Sequence, residues 1–111
     1  MDEKKQLVAM VERCNENILK NYKKYVEGYL CEEMDTDKIE LKDAIKHLSE
    51  GIVPTMSGYH KSVNVEVVVK EECKKSPSFA LAFFWFNARK SYSLKLLRLE
   101  EEVEPNAFSM D

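Results

Sequence analysis

The side chains of this 111-residue chain that could form a Cys–His nucleophile pair or a zinc site of cysteines and histidines are two histidines and three cysteines. They are spread along the sequence, at His47, His60, Cys14, Cys31 and Cys73. A catalytic cysteine needs a histidine within hydrogen-bond reach and a third group to orient it, whereas zinc ligands usually come in closely spaced pairs. The sequence has no Cys-x-x-Cys pair, and no short spacing joins a cysteine to a histidine. We therefore predict no catalytic residue, no metal ligand and no cofactor.

The carboxylates show a surface pattern. They are interleaved with lysines, as at Lys38, Glu40, Lys42 and Asp43. This pattern is typical of a solvated helix face with ion pairs three or four residues apart, and we favour it over an acid–base dyad. The three glycines form no phosphate-binding loop. We expect a protein that is not an enzyme and has no small-molecule substrate.

Composition indicates one globular domain. The chain is 44% hydrophobic and 33% charged, with a formal net charge of −3. We place a single domain at residues 1–104 and a flexible acidic tail at residues 105–111. The longest apolar run, residues 79–86, is far shorter than the roughly 20 residues that span a bilayer. Widely spaced cysteines fit a reducing compartment, so we predict a cytoplasmic protein, with the nucleus as an alternative.

The first half of the chain has helical periodicity. Apolar residues recur every three or four positions between residues 2 and 34, which predicts a long helix. They are Leu7, Val11, Cys14, Ile18, Tyr22, Tyr25 and Tyr29. The alternative is a break near residues 15–17 or at Gly28. A shorter second helix follows, with Asp37 as its predicted N-cap, Glu40 three residues later and Gly51 at its carboxyl end.

The second half changes to a period of two. Val63, Val65, Val67 and Val69 alternate with mostly polar residues, which predicts a strand after a loop at residues 52–61. Residues 79–86 are apolar at every position and predict a central strand that is apolar on both faces. Alternation over residues 92–96 predicts a third strand. The expected fold class is α+β: two N-terminal helices, the first one long, followed by a three-stranded antiparallel meander sheet.

A sheet that is apolar on both faces would leave a large exposed patch in so small a domain. We therefore predict a protein–protein interaction module or adaptor that is homodimeric through an apolar sheet face or through the long helix. The interface residues predicted on the sheet are Phe84, Trp85, Phe86, Leu97 and Leu99, and those on the first helix are Tyr22, Tyr25 and Tyr29. In the alternative, the chain's own two helices cover both faces.

A second class of function uses the basic residues of the same segment. Arg89, Lys90, Lys95 and Arg98 could contact phosphates while the aromatic residues stack on bases, as in a nucleic-acid-binding protein or a small inhibitor. We favour a protein partner, because bases would have to compete with burial of a continuous apolar face.

The carboxyl-terminal half also resembles the Tctex-type dynein light chains. The resemblance comprises the alternating strand at residues 60–70, a strand that ends in Phe84 and Trp85, and an alternating strand from Tyr92. It implies a non-catalytic adaptor whose sheet is completed across a two-fold dimer and which docks partner segments. The chain departs from the family pattern at residues 74–77, which replace glycines, and at Phe86, which replaces an aspartate. The last strand is missing or reduced to residues 103–110.

Overall fold

The structure, a computed structural model, describes residues 2–28, 36–55 and 58–109, with side chains up to residue 101. The elements in chain order are helix α1 (Asp2–Glu27), a 3-10 turn (Thr36–Lys38), helix α2 (Leu41–Glu50), strand β1 (Ile52–Thr55), strand β2 (Gly58–Lys61), helix α3 (Val65–Lys75) and helix α4 (Pro77–Ser109). The predicted fold class is therefore wrong. The described chain is mainly helical, and its sheet is one two-stranded hairpin instead of a three-stranded meander.

Helix α1 runs without a break through residues 15–17 and ends at Glu27, next to Gly28. Its apolar stripe is buried as the periodicity predicts. The buried residues are Leu7, Cys14, Ile18, Tyr22, Tyr25 and Val26. The predicted continuation towards residue 34, including Tyr29, lies outside the described residues.

Helix α2 begins later than the capping pattern predicted. Asp37 lies in the 3-10 turn, and the N-cap is Glu40, which forms a reciprocal capping box with Asp43. The backbone N–H of Glu40 donates to the Asp43 carboxylate at 3.1 Å. Gly51 ends the helix in the left-handed conformation, with φ of 66°, as its position predicted.

The segment predicted as a loop forms the hairpin. Strand β1 pairs antiparallel with β2, from Ile52 opposite Lys61 to Thr55 opposite Gly58. Pro54 is compatible with this pairing because neither strand of a two-stranded sheet has a neighbour on its other edge.

The valine-rich segment predicted as a strand is helix α3. The Asn64 side chain accepts a hydrogen bond from the backbone N–H of Val67 at 3.3 Å and so caps the helix. Val69 and Glu72, three residues apart, face the core. Valines at every second position include pairs four residues apart, which lie on one face of a helix as well. The pattern therefore fits both structures, and tertiary packing selects the helix.

The two remaining predicted strands both lie in helix α4. The Ser76 hydroxyl accepts from the backbone N–H of Phe79 at 3.1 Å, and Pro77 occupies the first helical position. Phe79, Ala82 and Phe86, spaced by three and four residues, are buried. The eight apolar residues therefore contribute one buried helix face to the core, whereas a strand would have presented two apolar faces.

Helices α1 and α4 form a long antiparallel pair. Contacts join Tyr25 to Phe79 at one end, Asn15 to Arg89 in the middle and Lys4 to Glu100 at the other end. Helices α2 and α3 pack beside the first of these contacts and close the core. The protein measures 60 × 27 × 22 Å, and its radius of gyration of 17.2 Å exceeds the value of about 13 Å expected for a compact domain of this length. Among the described residues, the helices lack an apolar stretch of the length and composition that would cross a membrane.

Candidate interaction surface

Among the described residues, the most exposed aromatic side chain lies on α4, on the side opposite the buried Phe79 and Ala82. Phe84 is 61% exposed and Leu81 is 50% exposed. Trp85, Ala88 and Tyr92 are partly exposed and fall on the same side, within an arc of about 100° at 100° per residue. We call Leu81, Phe84, Trp85, Ala88 and Tyr92 the outer stripe. Its residues form a surface of the composition that is enriched at protein interfaces.

The opposite side of α4 holds the outer stripe in place. Phe79 packs against Tyr25 with ring centroids 4.8 Å apart, and Phe86 is 3% exposed. The ring of Phe84 meets that of Trp85 edge-on, at 5.5 Å and 81°. Trp85 is itself packed against the core cluster. The exposed phenylalanine is therefore supported by a ring that is anchored in the core.

Polar contacts fix the position of α4 along α1. The Arg89 guanidinium donates through Nε to the side-chain oxygen of Asn15 at 2.7 Å. The Lys90 ammonium lies 4.4 Å from the centroid of the Phe86 ring, a cation–π contact within the helix.

The predicted interface residues separate into exposed and buried groups. Phe84 and Leu97 are exposed, whereas Trp85 and Leu99 are partly buried. Phe86, Tyr22 and Tyr25 belong to the hydrophobic core. Tyr29 lies outside the described residues. Burial of the core group follows from helical geometry, because a helix brings only every third or fourth residue of an apolar run to the surface on one side.

The basic residues of the nucleic-acid alternative do not share a face. Arg89, Lys90, Lys95 and Arg98 are spread over about 240° around α4 at 100° per residue. Arg89 donates a hydrogen bond to Asn15, and the Lys95 ammonium lies 5.6 Å from the Tyr92 ring centroid. Backbone phosphates bind best to a continuous basic groove, which this arrangement does not provide.

His47 takes part in an aromatic cluster that the sequence spacing did not reveal. The hydroxyl of Tyr22, on α1, forms a hydrogen bond with Nδ1 of His47, on α2, and the ring of Tyr59, on β2, packs 4.5 Å from the imidazole. The tautomer of the imidazole sets which of the two groups donates. The cluster joins three elements that are distant in sequence. Because Tyr22 is 0% exposed, its hydroxyl is closed to a substrate and acts in the core.

The surroundings of the cluster favour its uncharged state. Burial raises the pKa of Tyr22 well above its usual range, and Tyr59 and Asp43 add to the effect. Burial lowers the pKa of His47, although Asp43 opposes this shift. The predominant state near neutral pH is therefore a neutral phenol hydrogen-bonded to a neutral imidazole.

The described cysteines behave as core or near-core thiols. Cys14 is buried, and burial raises its pKa; Cys73 is partly buried, and burial raises its pKa as well. A raised pKa lowers the thiolate fraction that a nucleophile or a metal ligand needs. No group of three histidine, cysteine, aspartate or glutamate residues within the described ranges is placed to hold a metal ion.

An apolar cavity of about 310 Å³ opens where α2, α3 and α4 meet. Its apolar lining residues are Leu48, Val65, Val69, Phe83 and Phe86, and Lys70 and Lys90 also line it. The cavity adjoins α4 on the side away from the outer stripe.

Comparison of the chain with protein-family models, curated proteins and solved structures finds no match. The resemblance to Tctex-type dynein light chains stays a prediction, and the segments that carry it are mostly helical here. It contributes nothing to the proposals below.

Sequence reasoning missed Leu81 and Ala88 as members of the surface and missed the pairing of Tyr22 with His47. A usable signal existed for the first two. Ser76 followed by Pro77 is a helix start, and no glycine or proline interrupts the next 27 residues. The Tyr22 contact spans 25 residues and has no local signal.

Proposed function

We propose that the protein is a non-enzymatic protein–protein interaction module that acts as an adaptor, and that the outer stripe of α4 is its binding surface. The observation that carries the proposal is Phe84, which is 61% exposed on a helix whose opposite side is core. Burial of a phenylalanine side chain contributes about 1.5–3 kcal/mol, so leaving Phe84 in water forgoes a large stabilisation. A partner that covers it recovers that stabilisation.

The arrangement also suits a binding surface because it is rigid. Trp85 is held by the core cluster and holds Phe84 edge-on, so little side-chain freedom is lost on binding. Leu81 and Tyr92 extend the apolar stripe by one turn to one side and two turns to the other. The expected occupant is an apolar helical segment of another protein, laid along this stripe at spacings of three and four residues.

Site-specific photo-crosslinking tests the proposal. The photoreactive residue benzoylphenylalanine replaces Phe84 in one sample and Val63, a fully exposed residue outside α4, in the matched control. We expect position 84 to give a protein adduct of defined mass that unlabelled wild-type chain competes away and unlabelled Phe84→Glu does not. Circular dichroism checks that Phe84→Glu keeps its helical content.

Equal labelling at both positions, or an adduct that Phe84→Glu competes as well as wild type, would show that the outer stripe is not a specific surface. Absence of any protein adduct at position 84 would overturn the proposal as well.

A further inference from the structure

In the second half of α4, two leucines are exposed in the part of the chain that the structure describes. None of the described residues from Asn87 to Glu101 is buried, and Leu94 and Leu97 are 49% and 50% exposed. Arg89 and Glu100 connect this half to α1 through side-chain contacts. Two helices packed against each other without a second layer of structure on them do not make a stable core. This half of α4 is therefore suited to packing against another element.

Four residues of this half form a stripe of their own, which we call the leucine stripe: Lys90, Leu94, Leu97 and Glu101. Their spacing of four, three and four residues places them within an arc of about 60°. This arc lies roughly opposite the outer stripe. Lys90 and Glu101 are both exposed, so the order along the helix is basic, apolar, apolar, acidic.

When a second copy of the stripe runs in the opposite direction, its acidic end meets the basic end of the first copy, and leucine meets leucine. We propose that a second copy of the chain packs its leucine stripe antiparallel against the first, with a two-fold axis between residues 95 and 96 of α4. The axis places Leu94 opposite Leu97 of the second copy, and Lys90 opposite Glu101 of the second copy. Because a two-fold interface uses the same patch twice, every pair occurs twice.

Three observations favour a second copy of the chain as the partner, packed in the antiparallel direction. A parallel pair would bring Lys90 against Lys90 and Glu101 against Glu101, which is repulsive. The spacing of four, three and four is the one that helices use for knobs-into-holes packing. The basic end of the stripe adjoins the apolar cavity, because Lys90 is one of the residues that line it. The acidic end of the second copy therefore approaches Lys90 next to an apolar recess.

The inference rests on the proposed function and deepens it, because it names one partner and leaves the outer stripe free for another. In the dimer, the two outer stripes face away from the shared axis. A homodimer of this form presents two copies of the binding surface and binds two-site partners with enhanced avidity.

Charge exchange tests the pairing. Light scattering and sedimentation equilibrium, in low salt, compare wild type with Lys90→Glu, Glu101→Lys and the double variant. We expect each single variant to raise the dimer Kd about 10-fold or more, since each reversal acts at two symmetric pairs. The double variant restores wild-type affinity because it exchanges the charges of every pair. Lys95→Glu, which changes the same charge outside the leucine stripe, leaves the Kd within about two-fold.

A wild-type chain that is monomeric at all concentrations would overturn the inference. A double variant that stays as weak as the single variants, or a Lys95→Glu variant that weakens the dimer equally, would overturn it too. Folding of each variant is checked by circular dichroism. Crosslinking from position 84 in Lys90→Glu, at a concentration at which this variant is monomeric, separates the two proposals. A retained adduct in the monomeric variant supports both proposals. Absence of an adduct from position 84 in a chain that still dimerises overturns only the outer stripe.

Discussion

The hydrogen bond between Tyr22 and His47 allows a quantitative test of the fold. Tyr22→Phe removes the hydroxyl that pairs with Nδ1 and leaves the ring in the core. The net loss of a hydrogen bond is about 1 kcal/mol, and a buried acceptor left without a partner costs about 1–3 kcal/mol. Because His47 is partly exposed, water can replace the phenol in part, so we expect Tyr22→Phe to lower the free energy of unfolding by about 1–2 kcal/mol.

The converse change is expected to cost more. His47→Phe keeps a ring beside Tyr59 but leaves the hydroxyl of Tyr22, a residue with 0% exposure, without its hydrogen-bond partner His47. We expect a loss near the upper end of the range of about 1–3 kcal/mol. In the double variant neither polar group remains, so its loss is smaller than the sum of the single losses by about 1–2 kcal/mol.

Urea unfolding at pH 7.5, followed by circular dichroism, measures this cycle. With a slope of about 1–3 kcal/mol per molar urea, Tyr22→Phe lowers the midpoint by roughly 1 M. Tyr59→Phe is the control, because it removes a hydroxyl from a side chain that is 40% exposed, and it changes stability by less than about 0.5 kcal/mol. Strictly additive losses in the cycle would refute the pairing of Tyr22 with His47.

Three further changes probe the elements around the site. His47 has a lowered pKa, so the unfolded chain binds its proton first as the pH falls; stability is full above the ordinary histidine pKa and is lost as the pH falls through the folded value. Unfolding free energies at pH 7.5 and 5.5 should differ less in His47→Gln than in wild type, and an unchanged difference would contradict this assignment. Ser76→Ala removes the α4 N-cap and should cost about 1 kcal/mol, whereas Ser91→Ala, at an exposed site within the same helix, should be neutral or stabilising by thermal unfolding. Gly51→Ala puts a Cβ 3.3 Å from the Cα of Val65 at a left-handed position, so we expect a loss of about 1–2 kcal/mol; a melting temperature within 1–2 °C of wild type, about the size of measurement error, would contradict the cap geometry.

The two stripes of α4 explain why this helix looks apolar on all sides. Phe79, Ala82 and Phe86 belong to the core, Phe84 is exposed on the opposite side, and Leu94 and Leu97 follow the line of Phe79 and Phe86 into the second half of the helix, where they are exposed. A helix that is apolar all round is normally buried. Here the chain buries part of the apolar surface, and we propose that a partner and a second copy cover the rest.

Helix α1 and helix α2 illustrate what the sequence by itself determined. The spacing of Leu7, Cys14 and Ile18 by multiples of about 3.6 is compatible with a helix and not with a strand, and these residues are buried as expected. The end of α2 at Gly51 is equally local, since only glycine adopts the left-handed conformation at low cost. Periodicity and caps act within a few residues, so one sequence is enough to find them.

The tertiary structure decided the second half of the chain. A run that is apolar at every position from 79 to 86 fits a central strand and a helix equally well by pattern, and the valines of α3 favour a strand locally. The helix forms because Phe79, Ala82 and Phe86 can pack together against α1, whereas a strand would leave one apolar face without a layer to cover it. The pairing of Tyr22 with His47 has the same origin: it depends on how α1 and α2 pack, and that packing is set by the sum of all core contacts rather than by any local spacing.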